Sequence, residues 1–388
     1  MFYVFTTAVN ASAAAERKPL QNTIIERKYQ IMKKMMAIVI VALMCIQAIA
    51  MPTSALNTIP VVDQTQVIYD SFELINRGDW NNWSQCFASE VQKDYEKLVS
   101  KPENFINNIG ILTVKTAEVQ SIEKVSDGYT ATVYPELQAY FADESAYDCY
   151  KVSVDIDVNE NNGYFDNGIN DYLITIVNDR GNWKIASITF CPPVLRNADT
   201  GVYSTNGSAY GHYTCGDEPT TINVKDEKGD IHENVDFTDF IINVTCNEIG
   251  NMGYCNDAIK ANSMAAKMAG WYFILGGYYA PMGYDIEYQW VAYKSYLATT
   301  EANTQIVTDA VSEIDGYRLV TNVGKVFFTS YFDGNNDDTG YHTGRMRQNG
   351  SQYLAVTYNY DWEDILHYYD DSSYNANTSV GTVQITND

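Results

Sequence analysis

Residues 236–275 read DFTDFIINVTCNEIGNMGYCNDAIKANSMAAKMAGWYFIL, two helical patterns joined by a short Gly-containing turn. In the first, Phe237, Phe240, Ile241 and Val244 recur at helical spacing. Asp236 stands where an N-cap belongs, and Asp239 lies at the third helical position, where an anion meets the positive end of the dipole. Glu248 falls four residues after Val244 on the same face. A carboxylate on an apolar face at a helix C-terminus is disfavoured as an anion by desolvation and by the dipole, so its pKa is expected to rise, as a general acid requires. The other reading of the same letters is a solvated acid beside a Gly250 helix stop. The second pattern sets Ala258, Ala261, Ala265, Ala266 and Ala269 beside a bulky stripe of Met264, Met268, Trp271 and Leu275, and Gly276-Gly277 ends it. Both surfaces of this helix are read as core packing that holds Glu248 still.

Outward from this stretch, residues 221–235 read as a strand, a Lys-Gly-Asp hairpin and a return strand that delivers the chain to Asp236. Before it, residues 194–217 are polar and free of long apolar runs after Pro192-Pro193, a linker composition. Residues 65–76, a short pattern around Trp80, Trp83 and Phe87, and residues 89–100 with Ser89 as cap read as helices, the last ending before Lys101-Pro102. The character then changes to strands at 114–125, 128–141, 150–158 and 171–190, rich in Val, Ile, Thr and Tyr and separated by Gly-containing turns. Asp155, Asp157, Asn159, Asn161 and Asp166 alternate as calcium ligands would. Glu160 stands where such a loop needs Gly, however, and a strand end with a polar hairpin loop explains the same letters.

The whole chain has 388 residues, 46% hydrophobic and 13% aromatic, enough for two packed domains. Its 31 Tyr suit half-buried strands and also carbohydrate-facing surfaces, where a flat ring and a hydroxyl are both useful. The formal net charge is −24, and the first fifty residues are net positive, so the remainder is more acidic still. Such a surface repels phosphate backbones and anionic membranes, which makes nucleic acid an unexpected partner. From Met32 the chain runs MKKMMAIVIVALMCIQAIAMPTSAL, the layout of a secretory signal peptide over residues 32–55 preceded by a non-native leader at 1–31. Of seven cysteines, Cys86, Cys149, Cys191, Cys215, Cys246 and Cys255 fall in the exported part, none with zinc spacing. Cys246 and Cys255 bracket Glu248 and could staple its turn; separate buried thiols explain the count equally well.

Two resemblances follow from these segments. Residues 60–193, helices followed by an antiparallel sheet closing in DRGNWKI, resemble the nuclear transport factor 2-like cone, which implies a pocket or an accessory binding module. Residues 218–388 resemble the stage II sporulation protein D family of bacterial cell-wall proteins. That family includes lytic transglycosylases and amidase enhancers. Its YxxxVxxxE pattern stands here as FIINVTCNE (240–248), its Ala-rich helix as AIKANSMAAK (258–267), and its AVxxTxGxVL segment as DAVSEIDGYRL (309–319), followed by a Gly-bearing piece at 334–339. Its SQYGA segment stands as SQYLA (351–355) and its YEEILxxYY segment as WEDILHYY (362–369). The family's Gln and Arg in the second helix are Asn262 and Lys267 here, and the Gly of SQYGA is Leu354.

The resemblances imply an α+β chain of two domains, an N-terminal helix-plus-antiparallel-sheet cone and a C-terminal mixed α/β sporulation protein D-like domain. They imply a secreted protein of the bacterial cell envelope that acts on peptidoglycan glycan strands, alone or beside another cell-wall hydrolase or envelope protein, and in sporulation in some members. Glu248 is then the catalytic acid and base, with Lys267, Ser351, Gln352 and Tyr353 as substrate contacts. Tyr278-Tyr279 and Tyr331-Phe332 are further candidates for the sugar groove. No cofactor and no metal is expected, because residues 276–300 lack the Cys and His through which some members bind zinc. A non-catalytic wall-binding or amidase-enhancing role is the competing expectation.

Overall fold

The apolar spacing of residues 65–100 forms the helices it predicts. The computed structural model describes residues 63–125, 147–160, 162–190, 212–375 and 378–387. The expected leader, signal peptide and strand 128–141, together with Cys191 and most of the expected linker, lie outside them. The described residues all belong to the unit Asp63–Asp388. Among them no helix is long and apolar enough to cross a membrane.

Helix α1 (Gln66–Asn76) buries Ile68, Phe72 and Ile75. Helix α2 (Trp80–Ser84) follows, with the Asp79 side chain accepting the Asn82 N–H at 3.4 Å. Helix α3 (Ser89–Ser100) starts on a different device from the one predicted. Ser89 is its first residue, not its cap, and both its N–H and its hydroxyl donate to Oδ2 of Asp179 at 3.0 and 2.7 Å. A carboxylate from a strand end thus occupies the electropositive helix terminus. Pro102 starts a further short helix, α4 (Pro102–Ile106), where a stop is predicted; at the first helical position its missing N–H costs nothing.

Strands β1 (Val114–Val125), β2 (Tyr147–Val158), β3 (Gly168–Asp179) and β4 (Asn182–Phe190) form an antiparallel sheet in the order β1-β2-β3-β4. Along β2, Val152, Val154, Ile156 and Val158 face the core, so Asp155 and Asp157 must point outward. These two acids of the calcium-like pattern are therefore strand residues, and Asp157 pairs with Lys115 at 3.1 Å. Helix α1 packs on β1 and β4, and Trp83, Phe87 and Tyr95 close the core beneath.

In the C-terminal part, β5 (His212–Thr214) pairs with β10 (Lys325–Phe327), which follows β9 (Tyr317–Val320), although the sequence places residues 212–214 in the linker. A three-residue strand is too short to show alternation. The hairpin β6 (Thr221–Lys225) and β7 (Ile231–Asp236) forms as read, and β8 (Ile286–Glu287) joins it in the order β7-β6-β8. Helix α5 (Phe237–Ile249) is capped by Asp236, whose Oδ1 accepts the N–H groups of Thr238 and Asp239.

Helix α6 (Asn256–Gly276) is buried on nearly every face and is the axis of this half; α5, α7 (Glu301–Glu313), α8 (Gln348–Tyr353) and α9 (Trp362–Asp370) all pack on it. Its small residues serve close approach. A Cβ at Gly270 would lie 2.6 Å from the Phe240 ring of α5. The helix ends at Gly277, φ +57°, in the left-handed region where the chain can turn without a Cβ clash.

The two halves meet directly. A Cβ at Gly110 would lie 2.3 Å from the carbonyl oxygen of Pro281, and the Asn223 amide donates to the Tyr164 hydroxyl at 2.7 Å. A polar cavity of about 400 Å³ opens near this junction, lined by Asn108, Glu160, Asn162, Tyr164, Asn223 and Glu233 among others.

Candidate functional site

Glu248 lies in the last turn of α5 and is half-buried. Its Oε1 accepts the backbone N–H of Ala292 at 3.1 Å, and its Oε2 accepts Nε2 of Gln348 at 3.1 Å. Burial pushes its pKa above the ordinary carboxylate value. The Gln348 and Ala292 donors oppose that rise, the charge of Asp333 adds to it, and Lys294 works against it. The result is a carboxyl that holds its proton more tightly than an ordinary one, yet is oriented by two donors that steady its anion: the balance a group needs to give and then take a proton.

The Ala292 bond belongs to a ladder. Asn243 bonds Lys294 through both amide atoms, at 2.9 and 3.1 Å. Asn247 accepts from Ala298 N–H at 2.9 Å and donates to Tyr296 O at 3.1 Å. Asn251 accepts the Thr299 hydroxyl at 2.9 Å. Asn243, Asn247 and Asn251 recur every four residues, so one polar face of α5 and its extension binds the segment 292–299 along the helix, with Glu248 beside it. The spacing is present in the sequence, but its partner backbone is not.

Three more groups complete the surroundings. Gln348 is buried, on the first turn of α8. Tyr331, on β11 (Ser330–Phe332), has a buried hydroxyl with no hydrogen-bond partner among the described residues, and the charge of Glu248 raises its pKa further beyond the effect of burial. Asp333 is exposed and follows directly on β11, where Asn349 of α8 bonds its carbonyl. Sequence reading leaves Glu248 without an acidic neighbour; Asp333 acts on it electrostatically from 85 residues away in the chain. β12 (Arg345–Arg347) runs parallel to β11, and this pairing brings the segments before Asp333 and Gln348 side by side.

The predicted substrate contacts divide. Lys267 is only 1% exposed, and its ammonium pairs with Glu218 at 2.7 Å, so it faces the interior of α6's packing and not a ligand. Ser351 is fully buried; its hydroxyl donates to Gln348 O at 2.6 Å and accepts from Asn262 Nδ2 at 2.9 Å. Gln352 is half-buried and accepts the Cys255 N–H at 2.8 Å, so its side chain caps α6. Tyr353 is half-buried, with its ring edge-on to Tyr358 at 5.9 Å.

Tyr278 and Tyr279 are core residues, 2% exposed each, and Phe332 lies under the guanidinium groups of Arg345 and Arg347. Tyr278 and Tyr279 therefore offer a sugar no open ring face, and the two cations occupy the Phe332 ring. Cys246 and Cys255 are both free thiols, and Cys246 is buried on α5; burial pushes its pKa up. The turn after Glu248 is held by hydrogen bonds that Asn251 accepts from the Thr299 hydroxyl and Gln352 from the Cys255 N–H, where a disulfide was a candidate. Among the described residues no cluster of three or more His, Cys, Asp or Glu could hold a metal ion. The polar cavity at the junction shares no lining residue with the Glu248 cluster.

No protein-family model matches the chain, and no curated protein matches it in sequence.

Proposed function

We propose that this protein is an exported enzyme of the bacterial cell envelope, a lytic transglycosylase that cleaves peptidoglycan glycan strands with Glu248 as its general acid and base. The observation that carries the reading is the state of that carboxyl: half-buried, with its pKa raised by desolvation, and held by Gln348 and the Ala292 amide. Protonated Glu248 gives its proton to the glycosidic oxygen as that bond to the anomeric carbon breaks. The resulting carboxylate then takes the proton of the muramyl sugar's own hydroxyl as its oxygen bonds the anomeric carbon. The proton count closes, and no water is consumed. One group serves both steps, which suits a site whose second acid, Asp333, is exposed and acts on Glu248 only through its charge.

The four-stranded half is, on this reading, an accessory domain of the nuclear transport factor 2-like type, and the C-terminal half is the sporulation protein D-like domain. A second reading is a non-catalytic wall-binding or amidase-enhancer protein. The burial of Lys267 and Ser351 favours it, because a site that has lost those contacts has fewer groups with which to strain a substrate. Digestion of purified peptidoglycan by the full chain separates the two. The enzyme reading expects anhydromuramyl products from the wild type and none from Glu248→Gln. No product from the wild type supports the binding role, and equal product from both proteins removes Glu248 from the mechanism.

A further inference from the structure

The residues after α8 hold a row of aromatic rings at the surface. Leu354–Tyr358 continues α8 as a wider helical turn, and Asn359, φ +57°, reverses the chain into Tyr360 and α9. Tyr353 meets Tyr358 at 5.9 Å between ring centroids, Tyr358 meets Tyr360 at 5.9 Å, Tyr360 meets Tyr368 at 6.3 Å, and Tyr368 meets Tyr341 at 5.0 Å. Tyr341 is 61% exposed and Tyr358 48%; the other three are half-buried. Core formation does not account for the exposure of Tyr341 and Tyr358, since exposed ring area adds nothing to burial; one face of Tyr341 is stacked on His342 at 3.6 Å, which leaves the other.

Two of the rings are also held by hydrogen bonds. The Tyr358 hydroxyl donates to Asp338 Oδ2 at 2.8 Å, and the Tyr368 hydroxyl donates to the backbone oxygen of the same residue. Asp338 is exposed at the centre of the row, and its other carboxylate oxygen is available as an acceptor. Pre-set rotamers lower the entropy cost of binding.

We propose that Tyr358, Tyr360, Tyr368 and Tyr341, with Asp338 between them, form a platform for a neutral glycan chain, continuing from Tyr353 on the helix that brings Gln348 to Glu248. Successive rings are inclined to one another by 79°, 43°, 61° and 57°, so they step along the surface and do not share one plane; a ring that turns a face outward fits the C–H face of a pyranose, and the spacing from ring to ring is of the order of one sugar unit. The phenols and the carboxylate supply partners for hydroxyl groups. Charge selects against the other ligands that stack on tyrosine. Asp338 bonds two of the rings and Asp361 follows Tyr360 in the chain, while Asp337 is paired with Arg347 at 3.4 Å; in a chain of net charge −24 the first two acids repel nucleic acid and sulfated polysaccharides. The platform deepens the cell-wall reading and rests on it for the identity of the polymer, but not for the binding itself.

The test uses the full chain carrying Glu248→Gln, so that no ligand is consumed, and a neutral chito-oligosaccharide as the probe in calorimetry. Tyr341→Ala with Tyr358→Ala is expected to weaken binding about tenfold or more, with the unfolding curve unchanged, and Tyr358→Phe, which keeps the ring, to stay near the parent. Failure of the parent to bind, or equal binding by the double variant, overturns the platform. Saccharide binding that depends on the strip, in a protein whose wild type cleaves nothing, upholds the platform while the catalytic reading falls. Cleavage by the wild type with no dependence of binding on the strip does the reverse.

Discussion

Replacing Glu218 by Ala should destabilise this protein by an amount that identifies the role of Lys267. The Lys267 side chain is 1% exposed and Glu218 is 27% exposed, with 2.7 Å between ammonium and carboxylate. Removing one partner of a buried pair costs about 3–5 kcal/mol, because the other charge stays in a poor solvent. Glu218 is partly wet, so water can reach the vacated position, and the expected loss is near the lower end, about 3 kcal/mol. Adding Lys267→Met removes the stranded charge and keeps most of the volume, so the double variant should return to within about 1 kcal/mol of the wild type. Urea unfolding of the full chain followed by tryptophan fluorescence measures both, since Trp271 lies on the same helix as Lys267. If Glu218→Ala leaves stability within about 0.5 kcal/mol of the wild type and Lys267→Met weakens binding to peptidoglycan instead, Lys267 is a ligand contact and its assignment to the core is wrong.

Other perturbations probe the same frame. Burial, then the charge of Asp371, raises the Asp370 carboxyl from 3.8 to about 7. A carboxyl raised on folding contributes stability that is complete below its unfolded pKa and lost as pH rises through its folded one. Asp370→Asn should therefore gain stability over the wild type as pH rises between 3.8 and about 7, as read by thermal unfolding across pH; a gap that is flat with pH contradicts it. Gly270→Ala would set a Cβ 2.6 Å from the Phe240 ring, and the displacement should cost about 1–3 kcal/mol in urea unfolding. Ser351→Ala should cost about 1 kcal/mol, because Asn262 loses a partner, and should leave glycan affinity as it was; a large loss of affinity would return Ser351 to the binding surface. Gln348→Leu removes the donor that does most to favour ionised Glu248, so the alkaline limb of the kcat/KM profile should move to higher pH. A limb that moves the other way contradicts that role.

The periodic elements were legible because burial and periodicity coincide. The helix that carries Glu248, its Asp236 cap, the buried Ala-rich helix and strand β1 stand where their apolar spacing puts them. The elements that escaped have no period to read. β5 is three residues long, and Pro102 signals a helix start as readily as a stop. Ser89 shows how tertiary context replaces a local rule: Asp179, ninety residues on, takes the place of a capping side chain.

At the site, Glu248 was visible because an acid interrupts an apolar face. Gln348 and Asp333 were not, and Tyr331 was legible only as a groove aromatic and not as a neighbour of the acid, since what brings them to it is the parallel pairing of β11 with β12 and the packing of α8 on α6. Lys267 and Ser351 were misplaced for a related reason. A motif fixes residue types along a chain, while Glu218 and Asn262, the groups that consume those side chains, come from elsewhere. Phe332 carries the same lesson, since its ring is already covered by Arg345 and Arg347.

The central claim is that one carboxyl, Glu248, moves the proton while the sugar's own hydroxyl attacks. The presence of Asp333 within electrostatic range makes water activation by a second acid the natural competitor. Digestion of peptidoglycan in heavy-oxygen water, with mass spectrometry of the new chain ends, separates them. Intramolecular attack gives anhydromuramyl ends that carry no heavy oxygen and are absent with Glu248→Gln; reducing ends labelled at the anomeric carbon would contradict it.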